Sequence, residues 1–136
     1  MKSLLIFILA IGSLISTAQT IDSVWAEINF LEIKHPEVVL RQSIWETQWY
    51  DCTKCCLRFN NLFGFRSKKN VTPDNPRGYF KYEDWCESVA AYKRWQDRKY
   101  NADPDYYRFL RYVGYAEDPM YEANLRSLDI NLATNE

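Results

Sequence analysis

The sequence predicts a mainly α-helical (α+β) domain that carries one small β-hairpin lobe. Apolar residues recur at helical spacing in several separate stretches. Three of these stretches open on a polar residue followed by proline, at His35-Pro36, Asp103-Pro104 and Asp118-Pro119, and proline is favoured in the first turn of a helix. A single segment, 59–82, breaks the helical pattern and concentrates Pro, Asn and Gly between residues 70 and 78.

Residues 1–18 read as a secretory signal. Lys2 supplies a positive start, Leu4 to Ile15 an apolar stretch, and Ser16-Thr17-Ala18 the small residues of a cleavage site. The apolar run is short for a bilayer span, and no cysteine follows it to take a lipid. The expectation is an exported chain without stable membrane insertion, periplasmic or extracellular, in which 19–136 forms one domain. Those roughly 118 residues suffice for a single core.

Within that domain, Val24, Ile28 and Leu31 mark a first helix over 21–33. Pro36 starts a second, which runs to about Tyr50 and places Val39, Gln42, Glu46 and Trp49 on one stripe. Phe63-Gly64-Phe65 and Gly78-Tyr79-Phe80-Lys81-Tyr82 flank the turn-rich segment and are expected to pair as the hairpin. Asp84 with Glu87 three residues on has the pattern of a capping box, leading a helix striped by Trp85, Val89, Tyr92 and Trp95. A fourth helix starts at Asp103-Pro104 and ends near Gly114; a fifth starts at Asp118-Pro119 and carries Met120, Leu125 and Leu128. This order of elements is the outline of a lysozyme-like helical domain.

A net charge of −1 excludes a nucleic-acid partner, which needs a basic face. Five Trp and ten Tyr exceed what the core stripes use, and an aromatic-walled groove for sugar rings would use the surplus. The four cysteines are Cys52, Cys55, Cys56 and Cys86. Export permits disulfides, and a bridge between adjacent Cys55 and Cys56 would be strained, which favours Cys86 bonding to one of the cluster. A chain with one His offers zinc few of its usual ligands, so neither metal nor cofactor is expected.

The chemistry turns on Ser43-Ile44-Trp45-Glu46-Thr47-Gln48-Trp49. A carboxylic acid between two tryptophans is poorly solvated, and poor solvation raises its pKa towards the range useful for proton donation. An ordinary helical Glu paired with Arg41 or Lys54 would fit the same spacing. Asp74, in Pro-Asp-Asn-Pro, fits a turn as well as a water-activating base. Asn60 and Asn61 fit a turn held by their own side chains.

Four segments in order give the chain a family resemblance. Val39 to Thr47 resembles the helix of the glucosaminidase family, glycoside hydrolase family 73, which ends in Gln, a short spacer, then Glu-Ser/Thr. Asn60-Asn61-Leu62-Phe63-Gly64 is similar to its Asn-Asn-x-Phe-Gly turn. Phe80-Lys81-Tyr82, with Trp85, Glu87-Ser88 and Tyr92, is similar to its Phe-x-x-Tyr strand and the following helix. Gly114-Tyr115-Ala116-Glu117-Asp118-Pro119-Met120-Tyr121 resembles its Gly-Tyr-Ala-Thr-Asp-Pro-x-Tyr segment. The compact lobe is similar to the short form in exported proteins of Bacteroidetes-type bacteria. Three positions depart from the pattern: Gln48 stands where the family has Gly, Ala91 where some relatives have Asp, and 66–79 holds a single carboxylate, Asp74.

The resemblance implies an endo-β-N-acetylglucosaminidase-type hydrolase acting on peptidoglycan strands as a monomer, with Glu46 as general acid. It implies Tyr115 as a cleft residue orienting sugar or acid, and Asp74 as the one candidate second carboxylate. Asn60, Asn61, Trp49, Phe65, Tyr79 and Tyr82 become the candidate substrate contacts. The alternatives are a lytic transglycosylase, which needs only one acid, and a non-catalytic wall-binding module.

Overall fold

The computed structural model describes residues 18–132, and the signal-peptide reading of 1–18 falls almost wholly outside them. Five α-helices are formed: α1 (Ile21–Phe30), α2 (Pro36–Thr47), α3 (Trp85–Lys99), α4 (Tyr106–Tyr112) and α5 (Tyr121–Arg126). The domain is mainly α, as the periodicity implies. None of these helices is long and apolar enough to cross a membrane.

Local chemistry sets each boundary. Thr20 caps α1 in a reciprocal box with Ser23, whose hydroxyl accepts the Thr20 N–H at 2.7 Å. The helix ends earlier than its apolar spacing suggests, because Glu32 turns left-handed (φ 54°). Asp84 caps α3 through the Glu87 N–H at 2.8 Å, and the Glu87 carboxylate accepts the Glu83 N–H in return. The last two helices start later than their prolines suggest. Asp105, not Asp103, caps α4, while Asp103 receives the Asp105 N–H and a two-pronged contact from Arg108. Asp118 folds the approach to α5 by accepting the Met120 N–H.

Helix α2 lies at the centre, packed on α1 and α5, with α1 also against α3. It buries Val39, Leu40 and Ile44 together with the polar Gln42, Ser43 and Thr47. Arg41 ties it to α5 by donating to the carbonyls of Leu125 (2.8 Å) and Leu128 (2.7 Å), a cation at a helix C-terminus.

The expected hairpin does not form, and there is no regular strand among the described residues. Segment 56–82 instead holds short 3-10 turns at Cys56–Phe59 and Lys68–Asn70 and two isolated antiparallel bridges, Arg66 with Tyr79 and Thr72 with Asn75. Buried asparagine amides take over where a ladder would run. Asn61 Nδ2 donates to the carbonyls of Phe65 and Phe80 while its Oδ1 accepts the N–H groups of Phe63 and Phe65. Asn75 Nδ2 likewise donates to the carbonyls of Asn70 and Tyr79, and its Oδ1 accepts the Tyr79 N–H. Gly78 is required here, since a Cβ would strike the Ser67 carbonyl.

The cysteine expectation also needs correction. Cys52 and Cys55, Cα atoms 5.9 Å apart on one turn, form the disulfide. Cys86 sits at the start of α3 beside Glu27 and Asp84, and both it and Cys56 are free thiols.

Helix α2 stops at Thr47, short of the expected end. Gln48, Trp49 and Tyr50 then follow in left-handed conformation (φ 51°, 60° and 58°), which is strained for side-chain-bearing residues. Surrounding bonds hold this turn. The Trp49 N–H reaches the Ile44 carbonyl at 2.9 Å, the Tyr50 N–H reaches Thr47 Oγ1, and the Tyr50 hydroxyl donates to Ser43 Oγ, whose own proton is on the Leu40 carbonyl. Replacing Gln48 with Gly should relieve one strained residue. We expect Gln48→Gly to raise stability by about 0.5–1 kcal/mol in urea unfolding, the relief being partly offset by a looser unfolded chain.

Candidate active site

Glu46 sits in the last turn of α2, where the helix end meets the 61–66 turn. The motif glycine makes room for it. Gly64 is left-handed (φ 70°), and a Cβ there would lie 2.8 Å from Glu46 Oε2. The other carboxyl oxygen, Oε1, accepts the Tyr121 hydroxyl of α5 at 3.2 Å. Burial pushes the Glu46 carboxyl up to about 7, against the downward pull of the Tyr121 hydrogen bond and the Arg66 charge.

The carboxyl opens on a cleft of about 410 Å³ whose walls include Trp45, Phe65, Tyr79, Trp95, Tyr115 and Tyr121. Arg66, Arg77 and Glu117 supply charge at its edge, with Arg66 and Glu117 3.7 Å apart. A second hollow of about 550 Å³ continues past the same Trp45, Glu46, Arg77 and Tyr79 towards Asp51, Lys54 and the Cys52–Cys55 disulfide. Glu46 therefore stands where two open grooves meet.

The candidate residues separate on this geometry. Phe65, Tyr79 and Tyr115 line the cleft with Glu46. The Tyr115 hydroxyl is committed to the Phe63 carbonyl at 2.7 Å, and its ring stacks on Tyr121. Trp49 lies outside, on an apolar hollow formed with Ile44, Trp45 and Leu128. Asn61 is fully buried as a turn staple, and Asn60 donates to the carbonyls of Tyr82 and Glu83. Tyr82 is not among the cleft-lining residues. Asp74 is exposed, pairs with Arg58 at 3.0 Å, and lines neither groove.

Four contributors were not legible as site residues. Gly64 and Tyr121 lie inside the quoted motifs, whose spacing gives no contact with Glu46. Arg66 reads as a loop cation. Trp95 follows a core stripe, yet it is only partly buried and reaches the cleft. Cys56 is next to the acid, its Sγ 3.5 Å from the Glu46 carbonyl. Burial first, and Glu46 second, push its thiol up to about 12, so it is an inert packing group at neutral pH.

The family model described as mannosyl-glycoprotein endo-beta-N-acetylglucosaminidase matches residues 23–131, most of the 136-residue chain. The chain belongs to the glucosaminidase family. Neither a curated protein nor a solved structure matches it. Glucosaminidase membership gives a glycan as the substrate class and glycoside hydrolysis as the reaction class.

The raised Glu46 value ties the site to stability. A carboxyl whose folded value lies above its unfolded one leaves the fold fully stable below the ordinary value, 4.5, and weakens it as pH rises through about 7. The neutral isostere removes that penalty. We expect Glu46→Gln to be more stable than the wild type by about 2–3 kcal/mol above about pH 8, with the difference vanishing near about pH 4, in urea unfolding across pH. Gly64→Ala should do the opposite, with a loss of about 1–2 kcal/mol at all pH values from the strained backbone and the blocked carboxyl.

Proposed function

We propose that this glucosaminidase-family chain is an exported peptidoglycan hydrolase that cleaves the β-1,4 bond following N-acetylglucosamine, with Glu46 as general acid. The observation that carries the reading is a carboxyl held neutral up to about pH 7 at the junction of two aromatic-edged grooves. Leaving-group protonation needs an acid that keeps its proton at working pH and releases it readily, and a value near neutrality meets both demands. The aromatic walls suit sugar rings, and the open ends suit a strand longer than the cleft.

The water-activating half of the usual carboxylate pair is less well provided. Asp74 does not reach the grooves. Asp118 lines the cleft but is occupied with the Met120 N–H and the Asn124 amide. Glu117 is the remaining carboxylate on the Tyr115 side of that cleft, and it is engaged by Arg66. Water held by backbone and tyrosine groups, or assistance from the substrate's own acetamido group, would complete hydrolysis without a second acid. A single desolvated acid also favours one second reading, a lytic transglycosylase, whose product closes on itself instead of admitting water.

Digestion of purified peptidoglycan, with fragments read by mass, distinguishes these readings. Hydrolysis is expected to yield reducing N-acetylglucosamine ends, and Glu46→Gln to lower the rate at least about 100-fold. Anhydromuramic ends would move the assignment to a transglycosylase, and intact sacculi that retain the protein would make it a binding module. Because the acid must be protonated, kcat/KM should hold at lower pH and fall as pH rises through about 7.

A further inference from the structure

Five buried side chains behind the cleft form a hydrogen-bonded chain that ends at Glu46, and its direction is fixed at the far end. The Lys34 N–H donates to Gln96 Oε1 at 2.8 Å, so the Gln96 amide nitrogen must face the other way. That nitrogen donates to the Lys34 carbonyl and to the Tyr106 hydroxyl oxygen at 2.9 Å. The Tyr92 hydroxyl donates to Gln42 Oε1 at 2.6 Å, which leaves its oxygen to accept the Tyr106 proton at 2.7 Å. Gln42 Nε2 then donates to the Tyr121 oxygen at 3.3 Å, and the Tyr121 proton is directed at Glu46 Oε1. Every link has one donor available, so no member can reverse without stranding another.

We propose that Gln42, Tyr92, Tyr106 and Gln96 are positioning residues that hold the Tyr121 hydroxyl as a donor to Glu46 Oε1, and so leave the acidic proton on Oε2. Oε1 is occupied as an acceptor in both protonation states. The transferable proton therefore rides on the oxygen beside the bare face of Gly64, where the cleft opens. Gln42, Tyr92, Tyr106 and Gln96 are 0, 0, 2 and 1 % exposed and line neither groove, so they cannot touch substrate. A core built only for stability would place apolar side chains here, because a partly satisfied buried network is worse than none. The inference rests on Glu46 being the proton donor.

Other groups also face the carboxyl. Arg66 acts on it from the Gly64 turn and Cys56 lies beneath it. Tyr115 presents its ring from the loop after α4, with Glu117 and Asp118 beyond, and Arg77 and Tyr79 stand on the lobe side. Asp51 and Lys54 face it across the second hollow. None of these hydrogen-bonds to a member of the chain; Tyr115 meets it through ring contacts alone, with Tyr121 and Tyr92. The effect of the chain can thus be isolated at Tyr121.

The test is the carbon-13 titration of the Glu46 side-chain carboxyl by NMR, which needs no substrate. Removing the Tyr92 hydroxyl frees the Gln42 amide to flip, so that Tyr121 donates to Gln42 instead of Glu46. Tyr92→Phe should therefore raise the Glu46 midpoint by about 0.5–1 unit, and Tyr121→Phe by at least as much. Tyr92→Phe added to Tyr121→Phe should produce no further rise, and Tyr112→Phe, an exposed control, none at all. An unchanged midpoint in Tyr92→Phe, or a shift that adds fully to that of Tyr121→Phe, would overturn the proposal. Should Tyr92→Phe not fold, Gln42→Met is read by the same criteria, with a rise supporting and no rise overturning. A protein that titrates as expected but leaves peptidoglycan uncut refutes the functional reading alone.

Discussion

A carboxyl group lying out of water at the end of a helix constrains everything around it. Its two oxygens have different neighbours: one a donor, the other open space facing the cleft. Tyr121 from α5 provides the first and the missing side chain of Gly64 the second. Both must be delivered to within tenths of an ångström, which explains why α2 lies at the centre of the fold. It contacts the helix that carries Tyr121, and its C-terminal turn meets the segment that carries Gly64. Arg41, which ties α2 to the end of α5, secures the same geometry from outside the cleft.

The turn after Glu46 shows how far the chain departs from the most relaxed solution. Three successive left-handed residues, none of them glycine, would be unstable in isolation. They persist because Thr47, Ser43 and the Tyr50 ring over-determine the path, and the Cys52–Cys55 disulfide closes the next turn. This sharp exit pulls the chain away from Glu46 and opens the second groove, whose wall includes Gln48, Asp51 and the disulfide. A helix continuing to Tyr50 would have filled that space.

Much of this was legible in the sequence, for identifiable reasons. Helix order, the Asp84 cap and the central place of Glu46 follow from periodicity, capping chemistry and the unusual setting of an acid between tryptophans. The hairpin was misjudged because alternation and turn residues look alike whether backbone ladders or asparagine amides make the bonds. The Asn61 side chain does hold its own turn, as the sequence suggests, but its amide also reaches a segment nineteen residues away, which local sequence does not reveal. The disulfide was misplaced because sequence spacing does not reveal which face of α3 Cys86 occupies. Tyr121 was invisible as a partner of Glu46, since a contact across 75 residues leaves no local signal.

Desolvation and hydrogen bonding oppose one another at Glu46, and their balance is what makes the acid useful. Burial alone would hold the proton too tightly for transfer to a glycosidic oxygen. Tyr121 and Arg66 each favour the carboxylate and bring the value back to about 7. Of the two, Arg66 is exposed and shares its charge with Glu117, so salt weakens its effect. The Tyr121 bond lies in the cleft wall between two partly or wholly buried groups, where salt has little effect. On the proposed reading, a glycan strand that displaces water would deepen the burial of the carboxyl, which raises its value, and would strengthen the pull of Arg66, which lowers it. The proposed acid then keeps its proton for bond breaking only where the gain from burial outweighs the pull of Arg66, which makes the exposure of that cation part of the balance.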